Sequence, residues 1–106
     1  VEMGERDTNL IFRTLHNTAR VAKNAVSDEV VQIEQKGNAT IDDIAHLVSG
    51  KRGRVVFEEG DTDYGIWSAG MVSGLINDVP SVAELVTRIV SEARDIIDGR
   101  LHNAVA

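Results

Sequence analysis

The sequence predicts an α/β fold that is mainly helical in this chain. Two kinds of local pattern carry that prediction: several capped segments with helical periodicity, and one short apolar cluster of strand-forming residues near the N-terminus. A third observation is the composition, which is 42% hydrophobic but includes only two Phe, one Trp and one Tyr. At 106 residues the chain has the length of one domain, and its core must be built mainly from aliphatic side chains.

The first half of the chain contains a predicted strand and a predicted helix. Residues 8–15 hold the cluster Leu10, Ile11 and Phe12, which favours a short strand. The following stretch mixes basic and small apolar residues, and it is compatible with a loop or an irregular helix. A helix is then predicted for residues 28–36, with Ser27 as its N-cap and Gly37 as its C-terminal stop.

The middle of the chain predicts one short amphipathic helix followed by a loop. Thr40 is the expected N-cap, Asp43 stands in the capping-box position, and Gly50 is expected to end the helix. Glycines and an acidic run then predict a loop across residues 51–63, with at most a short strand at residues 55–57.

The last helix has the strongest sequence signal. Ser81 is its predicted N-cap and Glu84 completes a capping box. Apolar residues then recur at intervals of three and four: Val82, Leu85, Val86, Ile89, Val90, Ala93, Ile96 and Ile97. Such a stripe must pack against something, and the other predicted elements offer few large side chains to receive it. The stripe therefore indicates a partner surface outside this chain.

The charge and the cysteine content exclude some classes of function. Seventeen acidic residues against eleven basic ones give a net charge of −6, which disfavours nucleic acid or an anionic membrane surface as a partner. No cysteine is present, which fits a cytoplasmic protein. The longest uncharged run is shorter than a membrane span, and we expect a soluble chain. His16, His46 and His102 have no metal-ligand spacing, so no metal site is expected.

Two charged clusters and one glycine-rich segment are the candidate sites. The acidic run Glu58, Glu59, Asp61 and Asp63 is better explained as a solvated turn than as a calcium or acid–base site. The basic stretch GKRGR at residues 50–54 is better explained as a surface turn than as a phosphate site. The uncharged residues 64–77 contain Gly65, Gly70 and Gly74, which indicate either tight packing of two elements or the close approach of a ligand.

The sequence resembles a known family. The segments RTLHNTARVAKNAV, DIAHLVSGKRGRVVFEEGDTDYGIWSAGMVSGLINDVPSVAELVTRIVSEA and IIDGRL resemble, in order and spacing, the C-terminal third of nitronate monooxygenases, formerly called 2-nitropropane dioxygenases. The resemblance covers nearly the whole chain. It implies the C-terminal portion of a (β/α)₈ barrel flavoenzyme: residues 1–80 would form the smaller, mostly helical second domain beside the flavin, and residues 81–106 the last barrel helix and tail.

The resemblance also implies a function. Such enzymes oxidise alkyl nitronates with O₂ by means of FMN, and relatives of the same fold are NAD(P)H:quinone reductases and flavin-dependent enoyl reductases. The expected wall of the flavin site is formed by Trp67, Ser68, Ala69, Gly70 and Met71. The family usually has Gln where Met71 stands, which puts the substrate preference in question.

The resemblance places the phosphate loops and the catalytic histidine in an earlier barrel portion that this chain lacks. No catalytic residue is therefore expected here, and the chain alone is expected to be inactive. Its expected partners are a nitronate or quinone substrate, O₂ or NAD(P)H, and the remainder of the barrel. The alternative is a non-enzymatic helical module that binds another protein through the apolar stripe.

Overall fold

The fold divides into two compact units. A computed structural model describes residues 2–105 of the chain. One unit ends at Ile76 and the other begins at Asn77. The domain boundary at residue 80 that the resemblance implies stays a prediction.

The first unit contains a two-stranded antiparallel sheet. Strand β1 (Thr8–Ile11) pairs with strand β2 (Ala19–Ala22), so that Thr8 lies opposite Ala22 and Ile11 opposite Ala19. Strand β1 confirms the predicted strand but ends early, because Phe12 adopts a positive φ of 61° and turns the chain away.

Strand β2 corrects the prediction of a loop or irregular helix in this stretch. Val21 and Ala22 are each only 2% exposed, so the strand is anchored in the interior of the unit. The charged residue beside them is accommodated on the sheet, since Nη1 of Arg20 donates to Oγ1 of Thr8 on β1 at 2.7 Å. The two residues of this hydrogen bond are twelve positions apart, so the local periodicity of the sequence did not predict strand β2.

Helix α1 (Ala25–Glu34) confirms the predicted helix but corrects its start. The N-cap is Asn24, and Ser27 is the third helical residue of a reciprocal capping box. The side-chain Oδ1 of Asn24 accepts from the backbone N–H of Ser27 at 2.8 Å, and Oγ of Ser27 accepts from the backbone N–H of Asn24 at 2.9 Å. The predicted stop is confirmed: Gly37 has a φ of 86° and donates its N–H to the carbonyl of Glu34.

Helix α2 (Ile41–Ile44) has the predicted cap but spans a single turn. The N–H and the hydroxyl of Thr40 both donate to Oδ2 of Asp43, at 2.7 and 2.8 Å. These hydrogen bonds from Thr40, the backbone one first, hold the pKa of the Asp43 carboxyl below its ordinary value.

Helix α3 (Gly50–Glu59) corrects two predictions. Gly50 opens this helix instead of ending the one before, and residues 51–59 are helical, not a loop with a strand. Val56, 7% exposed, anchors the helix in the interior, and Arg54 forms an exposed ion pair with Glu58 one turn later at 3.9 Å. The sequence did not predict this helix, because it contains two glycines and several basic residues, and a helix with one buried side chain has little apolar periodicity. The helix ends at Gly60, whose φ is 74°.

The core of the first unit lies between the sheet and helix α1. Its buried side chains come from β1, β2, α1 and the α2 region: Ile11, Val21, Val26, Val30, Ile44 and Leu47. After α3 the chain returns to the sheet, where Ser68 forms a bridge with Val21 and the Ala22 N–H donates to the carbonyl of Trp67 at 3.0 Å. The sheet thus fixes the start of the segment at residues 67–71.

The second unit is a capped helix with an exposed apolar face. Helix α4 (Val82–Asp95) continues through a π-helical stretch (Ile96–Leu101) into a last short turn, α5 (His102–Ala104). The predicted capping box is confirmed, with the Ser81 N–H and hydroxyl donating to Oε2 of Glu84 at 2.8 and 2.6 Å. The larger apolar residues of the predicted stripe are 43–79% exposed. None of the helices within residues 2–105 has the length and apolar character to cross a membrane.

Candidate functional site

Residues 67–71 alternate between the interior and the surface of the first unit. Trp67 is half-buried, Ser68 is exposed, Ala69 is 9% exposed, and Gly70 and Met71 are exposed, Met71 by 56%. The segment is extended at Gly70 and then forms a 3₁₀ helix (Met71–Leu75). One face of this segment is therefore available to a ligand.

The glycines of this region do not share one role. A Cβ at Gly65 would lie 2.8 Å from the backbone carbon and oxygen of Arg52, and a Cβ at Gly74 would lie 2.5 Å from the backbone nitrogen of Glu5. Both positions need glycine because backbone approaches backbone. Close packing against a second element is confirmed at Gly74. At Gly70 the nearest atom to such a Cβ is a side-chain carbon of Val72 at 3.8 Å, so the approach of a ligand stays the open alternative there. Gly70 lies on an open surface.

The loop before this segment is tied to the start of helix α1 by one amide side chain. Nδ2 of Asn24 donates to the carbonyls of Thr62 and Gly65, both at 2.8 Å. The carbonyl of Thr62 also accepts from the indole Nε1 of Trp67 at 3.0 Å. Asn24 is 8% exposed, so this hydrogen-bonding group is sheltered from water. Sequence reasoning included Asn24 in the family resemblance but did not give it this role.

A cleft of about 580 Å³ lies beside Trp67 in the first unit. It is lined by Glu2, Met3, Ala22, Lys23, Asn24, Thr62, Asp63 and Trp67. The exposed ammonium of Lys23 and the carboxylate of Asp63 supply charges of both signs, and the indole supplies an apolar wall. Such a lining suits a flat ligand that carries polar groups.

A second buried polar group organises the turn after β1. The carboxylate of Glu34, 8% exposed, accepts from the N–H of Phe12 at 3.0 Å, from the N–H of Thr14 at 3.2 Å and from the Thr14 hydroxyl at 2.9 Å. These bonds hold the turn that Phe12 enters with a positive φ. Arg13 and Thr14, part of the family resemblance, line a cavity of about 380 Å³ at this place. Sequence reasoning missed Glu34, which no local pattern distinguishes from a surface helix residue.

The histidines and the acidic run lie at the surface of the described part of the chain. His16, His46 and His102 are exposed, and no group of three or more metal-binding side chains occurs within the described part of the chain. In the acidic run, Oδ1 of Asp61 accepts from the N–H of Asp63 at 3.1 Å, which is a local turn.

The basic cluster at residues 50–54 has a structural role in helix α3. Nε of Arg52 donates to the carbonyl of Tyr64 at 2.7 Å, and its guanidinium carbon lies 4.7 Å from the centre of the Tyr64 ring. This pairing fastens the helix to the loop that precedes Trp67, and it corrects the expectation of a surface turn.

Comparison with known proteins identifies the fold. No family model matches the chain. A solved structure described as "Structure of FabK from Thermotoga maritima" is similar to it with a TM-score of 0.79 at 22% sequence identity, over 98% of this chain and 32% of the FabK chain. This chain therefore spans about a third of the length of FabK and has the fold of that part of it.

Proposed function

We propose that this chain is the C-terminal part of an FMN-dependent oxidoreductase and that residues 67–71 form one wall of its flavin site. The observation that carries the proposal is the fold likeness to FabK across 98% of the chain. FabK is a 2-nitropropane dioxygenase-like flavoenzyme with a TIM barrel, the same architecture that the ordered sequence resemblance implies.

The residues present fit a wall against FMN. Gly70 is exposed, and beyond its chain neighbours the nearest atom to a Cβ built there is Cγ1 of Val72 at 3.8 Å, an ordinary contact, so a flat ring system has room to approach the backbone. Trp67 lines a cleft of the same unit, where its hydrogen bond to Thr62 orients the indole. When bound, FMN would supply hydride and electron transfer. This chain would orient the flavin and exclude water from one side of it, and the catalytic and phosphate-binding groups would come from the rest of the protein.

Two reactions are supported by separate observations. The sequence resemblance favours oxidation of alkyl nitronates with O₂. The fold likeness favours the second candidate, reduction of an enoyl thioester with NAD(P)H, because FabK is an enoyl-ACP reductase. Met71 bears on this choice, since its thioether cannot donate the hydrogen bonds that a Gln amide would offer a nitro group or a carbonyl.

The apolar face of helix α4 supports a larger parent protein. Val82, Leu85 and Ile89 lie on it, with exposures of 79%, 43% and 56%. An apolar helix face that is exposed to water favours association with another surface. We assign it to the remainder of the barrel, which agrees with a chain that spans 32% of FabK.

The test starts from the complete reading frame. The encoded polypeptide is expressed, its flavin is identified by absorbance and mass spectrometry, and it is assayed with a nitronate plus O₂ and with an enoyl thioester plus NAD(P)H. We expect bound FMN and turnover of one of the two substrates. A reading frame without upstream barrel sequence, together with a flavin-free, cooperatively folded product, would support the protein-binding module instead.

Two variants then probe the proposed wall. Trp67→Phe keeps an aromatic ring but removes the donor to Thr62, and we expect weaker FMN binding. Met71→Gln introduces the family's usual residue, and we expect it to change kcat/KM for the substrate. Unchanged kinetics in Met71→Gln would mean that this position does not contact the substrate.

A further inference from the structure

We infer that Asn24 is a positioning residue for the FMN-facing wall, which it holds through the carbonyl groups of Thr62 and Gly65. Its connection to FMN rests on the function proposed above. The connection between Asn24 and the loop rests on the structure alone, which brings together residues 38 and 41 positions apart in the sequence.

The side chain of Asn24 uses its full set of amide donors on this loop. Nδ2 donates to the Thr62 carbonyl and to the Gly65 carbonyl at 2.8 Å each, while Oδ1 accepts from the Ser27 N–H at 2.8 Å. The group is 8% exposed, so water has little access to replace a lost bond. Because the Gly65 carbonyl is buried and would be left unsatisfied without its donor, this amide fixes the path of the loop.

The Thr62 carbonyl links Asn24 to Trp67. It accepts from Nδ2 of Asn24 and also from Nε1 of Trp67, at 2.8 and 3.0 Å. The backbone of Trp67 is fixed separately, since its carbonyl accepts from the Ala22 N–H of strand β2 at 3.0 Å. The sheet therefore sets where the segment begins, and Asn24 helps to set the direction of the indole ring, which lines the cleft shared with Asn24 and Thr62.

The two roles of Asn24, helix cap and loop anchor, are separable by substitution. Asn24→Asp keeps the oxygen that accepts from Ser27 and removes both donors to the loop. Asn24→Ser keeps an oxygen suited to an N-cap and is the alternative if the added carboxylate prevents folding. Ser27→Ala is the matched control, because it removes the hydroxyl that bonds to the Asn24 backbone and to Asn9 and leaves the Asn24 amide and its two carbonyl partners in place.

The experiment measures the loop and the flavin in separate arms. In the complete protein freed of FMN, hydrogen exchange of residues 62–68 and acrylamide quenching of Trp67 report the order of the loop. In the complete FMN-loaded protein, the FMN dissociation constant is measured by fluorescence titration. Both Asn24 variants should speed exchange in residues 62–68 and increase quenching. They should also raise the FMN dissociation constant about tenfold. Ser27→Ala should lower the global midpoint of unfolding and leave the other readouts at their wild-type values.

The outcomes separate this inference from the proposed function. If Ser27→Ala loosens residues 62–68 as much as the Asn24 variants do, Asn24 is only a helix cap and the inference is overturned. Wild-type FMN affinity in variants whose loop is loosened would overturn the positioning role toward FMN, while the anchor itself would stand. If the wild-type protein binds no FMN, the proposed function fails independently of either result.

Discussion

Replacing Gly65 by alanine tests whether the close approach of two backbones holds the first unit together. The added Cβ would lie 2.8 Å from both the carbon and the oxygen of Arg52, and 3.1 Å from the nitrogen of Gly53. Ordinary carbon contacts begin near about 3.5 Å, so the loop or helix α3 must move by roughly 0.7 Å or more. None of the three contacting atoms belongs to a side chain that could rotate away.

The expected cost follows from two contributions. Overpacking of this kind destabilises by about 1–3 kcal/mol. The carbonyl of Gly65 is also an acceptor for Asn24 at 2.8 Å, so a displaced loop weakens a buried hydrogen bond. For a unit of this size each kcal/mol corresponds to about 4–8 °C in Tm, and we expect a decrease of at least about 4 °C.

The assay is urea and thermal unfolding followed by Trp67 fluorescence, which reports on the first unit because the chain has one tryptophan. Gly53→Ala is the matched control. Its Cβ would lie 3.6 Å from the Ile66 carbonyl oxygen, an ordinary contact, and its position within helix α3 predicts a gain of about 0.5–1 kcal/mol. A Gly65→Ala protein as stable as the wild type, or two alanine variants with the same sign, would refute the reasoning.

Three further predictions address the core, the turn after β1 and the cap of helix α4. Ile44→Ala, at a position with 0% exposure, should cost about 2–5 kcal/mol in urea unfolding, whereas Phe57→Ala, at 81% exposure, should stay within about 0.5 kcal/mol; equal costs would contradict the assigned core. Glu34→Gln removes the charge that accepts three hydrogen bonds and should cost about 1–3 kcal/mol, with faster exchange of the residue 12 and 14 amides; unchanged exchange would contradict the role of the carboxylate. The Ser81 hydroxyl, more than its N–H, lowers the pKa of Glu84. The stability that this cap contributes is therefore complete above the unfolded-state pKa of Glu84 and is lost as pH falls through the folded-state pKa. Ser81→Ala should raise the Glu84 pKa measured by NMR, and an unaltered titration would exclude the hydrogen bond.

Local signals predicted those parts of the fold that local chemistry determines. The capping boxes at Thr40 and Ser81 each close within three residues, so composition and spacing were sufficient to identify them. Strand β2 and helix α3 were missed because long-range contacts stabilise them: Arg20 pairs with Thr8 on another strand, and Arg52 fastens its helix to Tyr64. In both cases the charged residue that seemed to favour a loop is the one that makes the contact.

The contacts that support the candidate site could not be predicted from the sequence, and the flavin-wall role of residues 67–71 stays a prediction. The glycines of residues 64–77 indicated tight packing or the close approach of a ligand, and the structure leaves Gly70 exposed. The sequence could not distinguish Gly65 and Gly74 from Gly70, because a glycine that admits another backbone and a glycine on an exposed surface look alike in sequence. Glu34 and Asn24 act on backbone groups far along the chain, and no spacing rule reports such pairs.

The anchoring of the loop by Asn24 has a consequence for how this surface can diversify. The amide contacts the carbonyls of Thr62 and Gly65, so the side chain at position 62 takes no part in holding the loop. Residues 62 and 63 line the cleft beside Trp67. The Asp63 carboxylate accepts from the Ala25 N–H at 3.4 Å, so only the Thr62 side chain is free to vary while the main chain keeps its path. A new ligand preference is accessible through substitutions at position 62, with the support beneath it left unchanged.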